Sequence, residues 1–416
     1  MHLVPVPDSG SAPGTDRVWG RSTVVPALVL SNGRPGLAVT RGLGELGVPV
    51  VVLSWDDRDL ASVSRYAVET VRLPVPRSGD PAFVDALLGL ADRFAGGVLI
   101  PTSDDAMLEV ARGKAELSAF FRVDGPDWEV ARRSLDRLWT YQAAGAAGIP
   151  VPDTVMPSGR ADLGSIGRAV GYPCLVKPRE SHLYSAHFRR TLTVVRSEQE
   201  LLAAYDAATD AGLDVLVQEL IPGPDEQGVH YDAYRSGARV AAEFTARTLR
   251  LAPSRFGVQR AVVSADVPAV VEAGRAINET LGVQGFSRTE FAFDARDGRY
   301  KLLQVDGRHH RASLLPIRAG LNFPWISYRE QVFGELPRWR NARTGLYWLD
   351  EMADLAHSAT RAGRAGRGVW ELSRAWRGPR VFAVYDRHDL RPFARLAVRA
   401  PRRARGSFFD VEQANA

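Results

Sequence analysis

Four polar residues on two short apolar segments carry the clearest chemistry in this sequence. Glu290 lies in FSRTEFAFD, residues 286–294, and Gln304, Asp306 and Arg308 lie in RYKLLQVDGR, residues 299–308. The tetrapeptide ARDG separates the two segments, so they read as a β-hairpin. Alternation along a strand puts Gln304, Asp306 and Arg308 on one face, where Glu290 can meet them from the other strand. Two carboxylates and an amide oxygen are hard donors, the set Mg²⁺ takes together with phosphate oxygens and water. Mn²⁺ accepts the same donors. Arg308 adds a fork that neutralises phosphate. By the same alternation Lys301, at odd spacing to Gln304, faces away from that side.

Two further segments are chemically suggestive. Of the 53 basic residues, three are lysines: Lys114, Lys177 and Lys301. In so Arg-rich a chain, a lysine marks a place that needs a compact charge. Lys177 closes the apolar run GYPCLVKP, and Pro178 disfavours helical geometry just before it. It is therefore a strand-end cation suited to phosphate. The segment VQELIPGPDEQ, residues 217–227, is a strand running into a Pro-Gly-Pro linker. Such a linker can offer backbone groups to an adenine edge and a carboxylate to a ribose. Arg247, Arg250 and Arg288 lie where a cleft is expected, and an arginine can clamp a carboxylate. His309 and His310 are neighbours on a strand, so they point to opposite faces and cannot chelate one ion there.

The elements that must hold these residues alternate at first. VVPALVL (24–30), PVVVL (49–53) and GVLIP (97–101) read as strands, with helical patterns between them and over 102–117. Alternating strand and helix predicts a parallel, doubly wound α/β unit over residues 21–125. From Pro126 the pattern becomes α+β. A helix over 127–147 precedes strands at 173–177, 191–195, 214–220 and 239–246 and helices near 162–170, 197–211 and 267–281. Ser197 and Glu200 have capping-box spacing. Residues 1–20 are rich in Gly, Pro, Ser and Asp and are expected to be disordered.

Composition narrows the field. A chain of 416 residues with 45% hydrophobic and 24% charged residues has the composition of a soluble multidomain protein. No apolar run reaches 18 residues, and the N-terminus lacks the pattern of a signal peptide. The single cysteine, Cys174, excludes a disulfide framework and a multi-cysteine zinc site within the chain. A cytoplasmic protein is expected. Residues 336–416 carry a net charge of +8 and residues 1–335 carry −3. The basic tail has apolar residues at helical spacing, so a helical extension with a solvated face is expected rather than a nucleic-acid or membrane partner.

Taken together and in order, GYPCLVKP, VQELIPG and TEFAFDARDGRYKLLQVDGR resemble the ATP-grasp superfamily over about residues 126–335. The preceding unit resembles the pre-ATP-grasp domain. VLIPTSDDA and GIPVPDT look like the carboxylate–amine ligase branch, which includes D-aspartate ligase-like enzymes. The resemblance implies a two-subdomain ATP-grasp fold, with residues 336–416 as an Arg-rich extension. It implies phosphorylation of a substrate carboxylate by ATP, attack by an amine on the acyl phosphate, and release of ADP and phosphate. The substrates would be small carboxylates and amines, and homodimers are common in the superfamily. A non-ligating, ATP-binding regulatory protein is the alternative.

By the same resemblance, Lys177 would contact the α/β-phosphates, and Arg137 stands where the family commonly has a second lysine. Ser181 and His182 would cover phosphates in a segment that lacks a Gly-rich loop. Gln218, Glu219, Leu220 and Ile221 would frame adenine, and Asp225 or Glu226 would accept from the ribose. Glu290, Gln304 and Asp306 would hold Mg²⁺, and Arg288 and Arg308 would act on the carboxylate and acyl phosphate. The family's closing motif, Glu-Val-Asn-Pro-Arg, appears here as Gln304-Val305-Asp306-Gly307-Arg308. The amide and the acid have exchanged places, which leaves the formal charge of the ligand set unchanged.

Overall fold

The structure is a computed structural model that describes residues 24–403, apart from 253, 255, 338, 340, 341 and 356–374. The expected disordered segment 1–20 and much of the Arg-rich tail lie outside the described residues.

The chain begins with β1 (Ala27–Ser31), α1 (Gly33–Gly44), β2 (Val50–Ser54), β3 (Ala67–Arg72), α2 (Ala82–Leu88) and α3 (Ala91–Phe94). It continues with β4 (Val98–Pro101), α4 (Asp104–Arg112), α5 (Lys114–Leu117) and β5 (Arg122–Val123). The five strands are parallel in the order β3-β2-β1-β4-β5, a doubly wound arrangement. All of β1 and β2 is buried, as a sheet covered on both faces requires. Leu28 and Leu30 pack with Phe83 and Phe94 on one face, and Val29 packs with Leu37 on the other. A Cβ on Gly36 would lie 2.0 Å from Ser31 Oγ, so α1 can start this close to β1 only with glycine. Two expected helices are each split at glycine, at Gly89 and at Gly113.

The next elements are α6 (Trp128–Leu135), α7 (Arg137–Ala146), β6 (Thr154–Val155), α8 (Leu163–Val170) and β7 (Cys174–Pro178). Then come α9 (Ser181–Phe188), β8 (Thr193–Val195), α10 (Glu198–Asp210) and β9 (Val215–Glu219). Their strands form a four-stranded antiparallel sheet, β6-β9-β7-β8. Ser197 caps α10 by accepting from the Glu200 N–H at 3.2 Å. The helix expected over 127–147 is broken at Asp136, whose backbone is extended. Its carboxylate accepts from Trp139 N–H at 3.2 Å to cap α7 and takes Arg179 at 2.7 Å. An aspartate is a better cap than a helix interior residue, and the break sets Arg137 at the head of a new helix.

The remaining elements are β10 (Gly228–Ser236), β11 (Arg239–Ala252), β12 (Val258–Ser264), α11 (Val271–Thr280), β13 (Gly285–Asp294) and β14 (Arg299–Asp306). After them come α12 (Leu314–Ala319), α13 (Phe323–Phe333), β15 (Tyr347–Leu349), β16 (Arg380–Phe382) and α14 (Arg391–Arg403). The sheet order is β14-β13-β10-β11-β12-β15-β16. The expected hairpin is present as β13–β14. The tail, expected as a helical extension, contributes two strands to this sheet in its described part as well as α14. One core joins this sheet to the first unit: Val29 and Leu37 pack in it with Phe323, Ile326 and Trp348. No helix among the described residues is long and apolar enough to cross a membrane.

Candidate active site

A cleft of about 620 Å³ is lined by β7, β9, the linker after β9, the face of β10, β13 and β14, and the start of α4. Register explains how the polar residues meet. On one rung Glu290 stands between His230 of β10 and Gln304 of β14. On the next, Arg288 stands between Asp232 and Asp306. Residues paired across antiparallel strands share a face, so these six side chains share one. Gln304 Nε2 donates to Asp306 Oδ2 at 3.1 Å, and Glu290 pairs with Arg288. Burial pushes the Asp306 carboxyl up to about 6; Arg308 opposes this, and Asp104 and Glu290 add to it.

The hairpin is not regular. Between Glu290 and Phe291 the partner jumps from Gln304 to Leu302, so Leu303 is an extra, bulged residue. A bulge shifts the alternation by one. Lys301 therefore pairs with Ala292 and lies on the same face as Gln304, which corrects the orientation expected from odd spacing. Its ammonium pairs with Glu219 and Asp294, each at 2.8 Å, and Arg296 pairs with the same two carboxylates. Burial pushes the Glu219 carboxyl up, but Lys301 and Arg296 outweigh it and hold it below its ordinary value. The Glu219 side chain is thus committed to this cluster, and its backbone N–H donates to Asp153 O at 2.9 Å.

Lys177 is 8% exposed and forms no ion pair among the described residues. Burial lowers its pKa and Arg137 adds to this, while the Tyr141 phenol and Glu290 oppose it. Arg137, half-buried, donates to Pro178 O at 3.0 Å and likewise has no carboxylate partner among the described residues. Both line the cleft, with Ser181, Gln218, Glu219, Leu220 and Ile221. Gln218 Nε2 donates to Thr154 Oγ1 at 2.8 Å. Asp225 also lines it and accepts from Leu251 N–H at 2.8 Å and Ser254 Oγ at 3.0 Å. Glu226, in the same turn, is not among the lining residues. His182 lies in α9, but its side chain is outside the described residues.

Arg308 reaches the cleft with its fork on Asp104 at the head of α4, one bond measuring 2.7 Å. Arg247 and Arg250 do not line it: Arg250 is bidentate to Asp354 at 2.7 Å, and Arg247 meets the Tyr300 hydroxyl at 3.3 Å. His310 lines the cleft, whereas His309 stacks on Phe286 in the core at 4.3 Å.

His230 and Asp232 escaped the sequence reading, although VHYDAY alternates polar and apolar residues inside a buried strand. With His310 they form a fully buried cluster that has the composition of a metal site. The hydrogen bonds argue otherwise. His310 Nδ1 accepts from Ala312 N–H at 3.2 Å, and Arg288 approaches His230 Nδ1 at 3.5 Å. Both neighbours can only donate, so each neutral ring carries its proton on Nε2. A metal-ligating histidine needs the reverse. The two Nε2–H groups point at Asp232, from 3.1 Å for His310 and 3.9 Å for His230. His310 thus donates to the Asp232 carboxylate, whereas His230 Nε2 and Asp232 Oδ1 make no hydrogen bond among the described residues.

No protein-family model matches the sequence. The chain is 24% identical over 279 residues to D-aspartate ligase of Enterococcus faecium, covering 62% of this chain and 65% of the relative. It is 28% identical over 220 residues to D-alanine–D-alanine ligase of Pseudomonas fluorescens, covering 46% and 60%. The matches thus span less than two thirds of these relatives' own length. The biotin carboxylase of Campylobacter jejuni, solved as a complex with β-γ-ATP, superposes with a TM-score of 0.61 at 16% identity, over 78% of this chain and 74% of that one. The doubly wound unit followed by two antiparallel sheets around a cleft is thus the fold of that ATP-bound carboxylase, and the two ligases are what the sequence is similar to.

Proposed function

We propose that the protein is an ATP-dependent carboxylate–amine ligase that joins small amino-acid-like or peptide substrates in the cytoplasm. Lys177 carries this reading. A buried cation without an ion pair is costly, and a polyphosphate offsets that cost. The same cleft holds Arg137, the carboxylates Glu290 and Asp306, and the amide of Gln304. The two relatives are named for the ligation of amino acids, which supports the reaction class.

In this reading Lys177 and Arg137 hold the phosphates, with Ser181 and His182 beside them. Gln218, Glu219, Leu220 and Ile221 frame the adenine. Asp225 or Glu226 accepts from the ribose; Asp225 lines the cleft but already accepts from Leu251 N–H and Ser254 Oγ. Glu290, Gln304 and Asp306 fit Mg²⁺, because two carboxylates and an amide share one face and the acids crowd each other until a cation neutralises them. When bound, the ion supplies charge neutralisation to the phosphates. Arg288 and Arg308 neutralise the substrate carboxylate as it takes the γ-phosphoryl group. The amine then attacks the acyl carbon, the carbon–oxygen bond to phosphate breaks, and an amide remains. The chain's part is alignment and charge neutralisation.

The test is ADP release from ATP and Mg²⁺ across pairs of amino acids and short peptides. Release that requires both a carboxylate and an amine substrate is expected. Tight ATP binding without ADP release for any pair would favour a nucleotide-binding regulator, the reading suggested by Gln304 in place of the family's glutamate.

A further inference from the structure

We infer that Lys301 is a positioning residue of the adenine end of the cleft: it anchors the Glu219 carboxylate on a neighbouring backbone N–H and so leaves the Glu219 carbonyl open to the exocyclic amino group of the base. The inference rests on the reading that the end of β9 frames an adenine. It starts from a break in a ladder. β6 and β9 are antiparallel, with Thr154 opposite Gln218 and Val155 opposite Val217. The next pair along is Asp153 and Glu219, and it is half made. Glu219 N–H donates to Asp153 O at 2.9 Å. A regular ladder returns the bond, from Asp153 N–H to the Glu219 carbonyl. Here that N–H donates to Glu219 Oε1 instead, at 3.1 Å. The carbonyl is thereby left without its ladder donor, at a residue that lines the cleft. A backbone carbonyl cut off from its partner takes a donor from a ligand or from water.

Lys301 decides where Oε1 stands. The bulge at Leu303 turns this side chain to the cleft face, and its ammonium meets Glu219 Oε1 and Asp294 Oδ2, each at 2.8 Å. Oε1 thus holds Lys301 and the Asp153 N–H together, while Oε2 pairs with Arg296. The Lys301 side chain is 12% exposed and that of Arg296 is 49% exposed, so the lysine is the inner anchor and the arginine the outer one. Asp294, fully buried on β13, gives the lysine a fixed seat. Arg296 first, and then Lys301, hold the Asp294 carboxyl below its ordinary value against its burial. The lysine therefore carries the position of the hairpin in the seven-stranded sheet across to the last residue of β9 in the four-stranded sheet. Lys301→Met would release Oε1, leave Glu219 to Arg296 at the rim, and let the Asp153 N–H return to the carbonyl.

The experiment uses the full chain with Mg²⁺ and no ligation substrate, and measures the affinity for two nucleotides by calorimetry. One is ATP. The other is purine riboside triphosphate, which differs from ATP only in lacking the exocyclic amino group. Wild type should bind ATP about fivefold more tightly, the worth of one neutral hydrogen bond. Lys301→Met should bring that preference below about twofold by weakening ATP alone, because the amino group has lost its acceptor. Lys301→Arg, which keeps donors for both carboxylates, should restore the preference. Glu219→Ala removes the side chain that captures the Asp153 N–H and should lose the preference as Lys301→Met does; it decides the matter if Lys301→Met does not fold. Equal weakening of both nucleotides in Lys301→Met is what a purely structural lysine gives, and it would overturn the inference. An undiminished preference in Lys301→Met, or wild type without one, would do the same. Wild-type protein that binds neither nucleotide would overturn the nucleotide reading itself, and the inference with it. Wild-type protein that shows the preference but releases no ADP with any substrate pair would overturn ligation and leave Lys301 standing.

Discussion

The seam between α1 and the tail buries charge in ion pairs, and the cleft, beside pairs of its own such as Arg288–Glu290 and Arg308–Asp104, leaves two cations, Lys177 and Arg137, without one among the described residues. In the seam, Arg41 donates to Asp389 Oδ2 at 3.0 Å and to Val384 O at 2.8 Å. Asp389 also accepts from Ser64 Oγ at 2.7 Å and from Arg65 N–H at 2.9 Å, so both its oxygens are used. Nearby, Arg34, Arg260 and Arg311 converge on Asp350 at 2.7, 3.0 and 2.8 Å. In the cleft, Lys177 has no ion pair among the described residues and Arg137 donates to a backbone carbonyl. The difference separates architecture from site. A buried cation whose counterion must arrive from outside marks the place of an anionic ligand.

The largest effect should come from breaking a closed pair. Asp389→Ala leaves Arg41 buried without its carboxylate, and urea unfolding should show a loss of about 3–5 kcal/mol. A loss below about 1 kcal/mol would mean that the seam is as open as the cleft. Next comes the open cation. Lys177→Ala should lower ATP affinity on the order of 10²-fold while leaving stability unchanged or raised, because no ion pair is lost. A variant that unfolds early instead would place Lys177 with the seam.

A third buried charge tests the comparison by titration. Burial pushes the Asp124 carboxyl up to about 6 from its ordinary 3.8. Between those values the folded state holds more protons than the unfolded chain, so acidification adds stability through this group. Going from pH 7 to pH 5, the wild type should gain about 1.3 kcal/mol over Asp124→Asn. Parallel stability curves for the two proteins would show that Asp124 is compensated. The smallest effect belongs to Lys114, which donates to Gly125 O at 2.9 Å and pairs at 2.7 Å with the exposed Asp127. Lys114→Ala should leave ATP affinity within about twofold and stability within about 1 kcal/mol. Comparable ATP defects in Lys114→Ala and Lys177→Ala would undo the assignment of Lys177.

Much of the local structure was legible. The hairpin that brings Glu290 to Gln304 and Asp306 follows from two apolar runs and a four-residue turn. Lys177 could be put at a strand end because proline follows it. The parallel unit was readable from alternation, whereas its edge strand β3, with alternate residues exposed, lacks the apolar run that betrays a buried strand. The short strands β15 and β16 were hidden for a related reason: three residues each carry too little pattern to be seen against an Arg-rich background.

What the sequence determined by itself is periodic and local. Strand alternation, caps and turns depend on neighbours within a few residues, so Lys177, the linker after β9 and the metal-type hairpin could all be named. The tertiary structure decided the partners. An arginine is written with the same letter whether Asp389 closes it, as at Arg41, or a carbonyl and a cleft face it, as at Arg137. The bulge at Leu303 shows the limit most directly, because one extra residue brought Lys301 to the cleft face and left a carbonyl for Tyr141. Alternation cannot count a residue that the ladder skips, and only the pairing of β13 with β14 records that it was skipped.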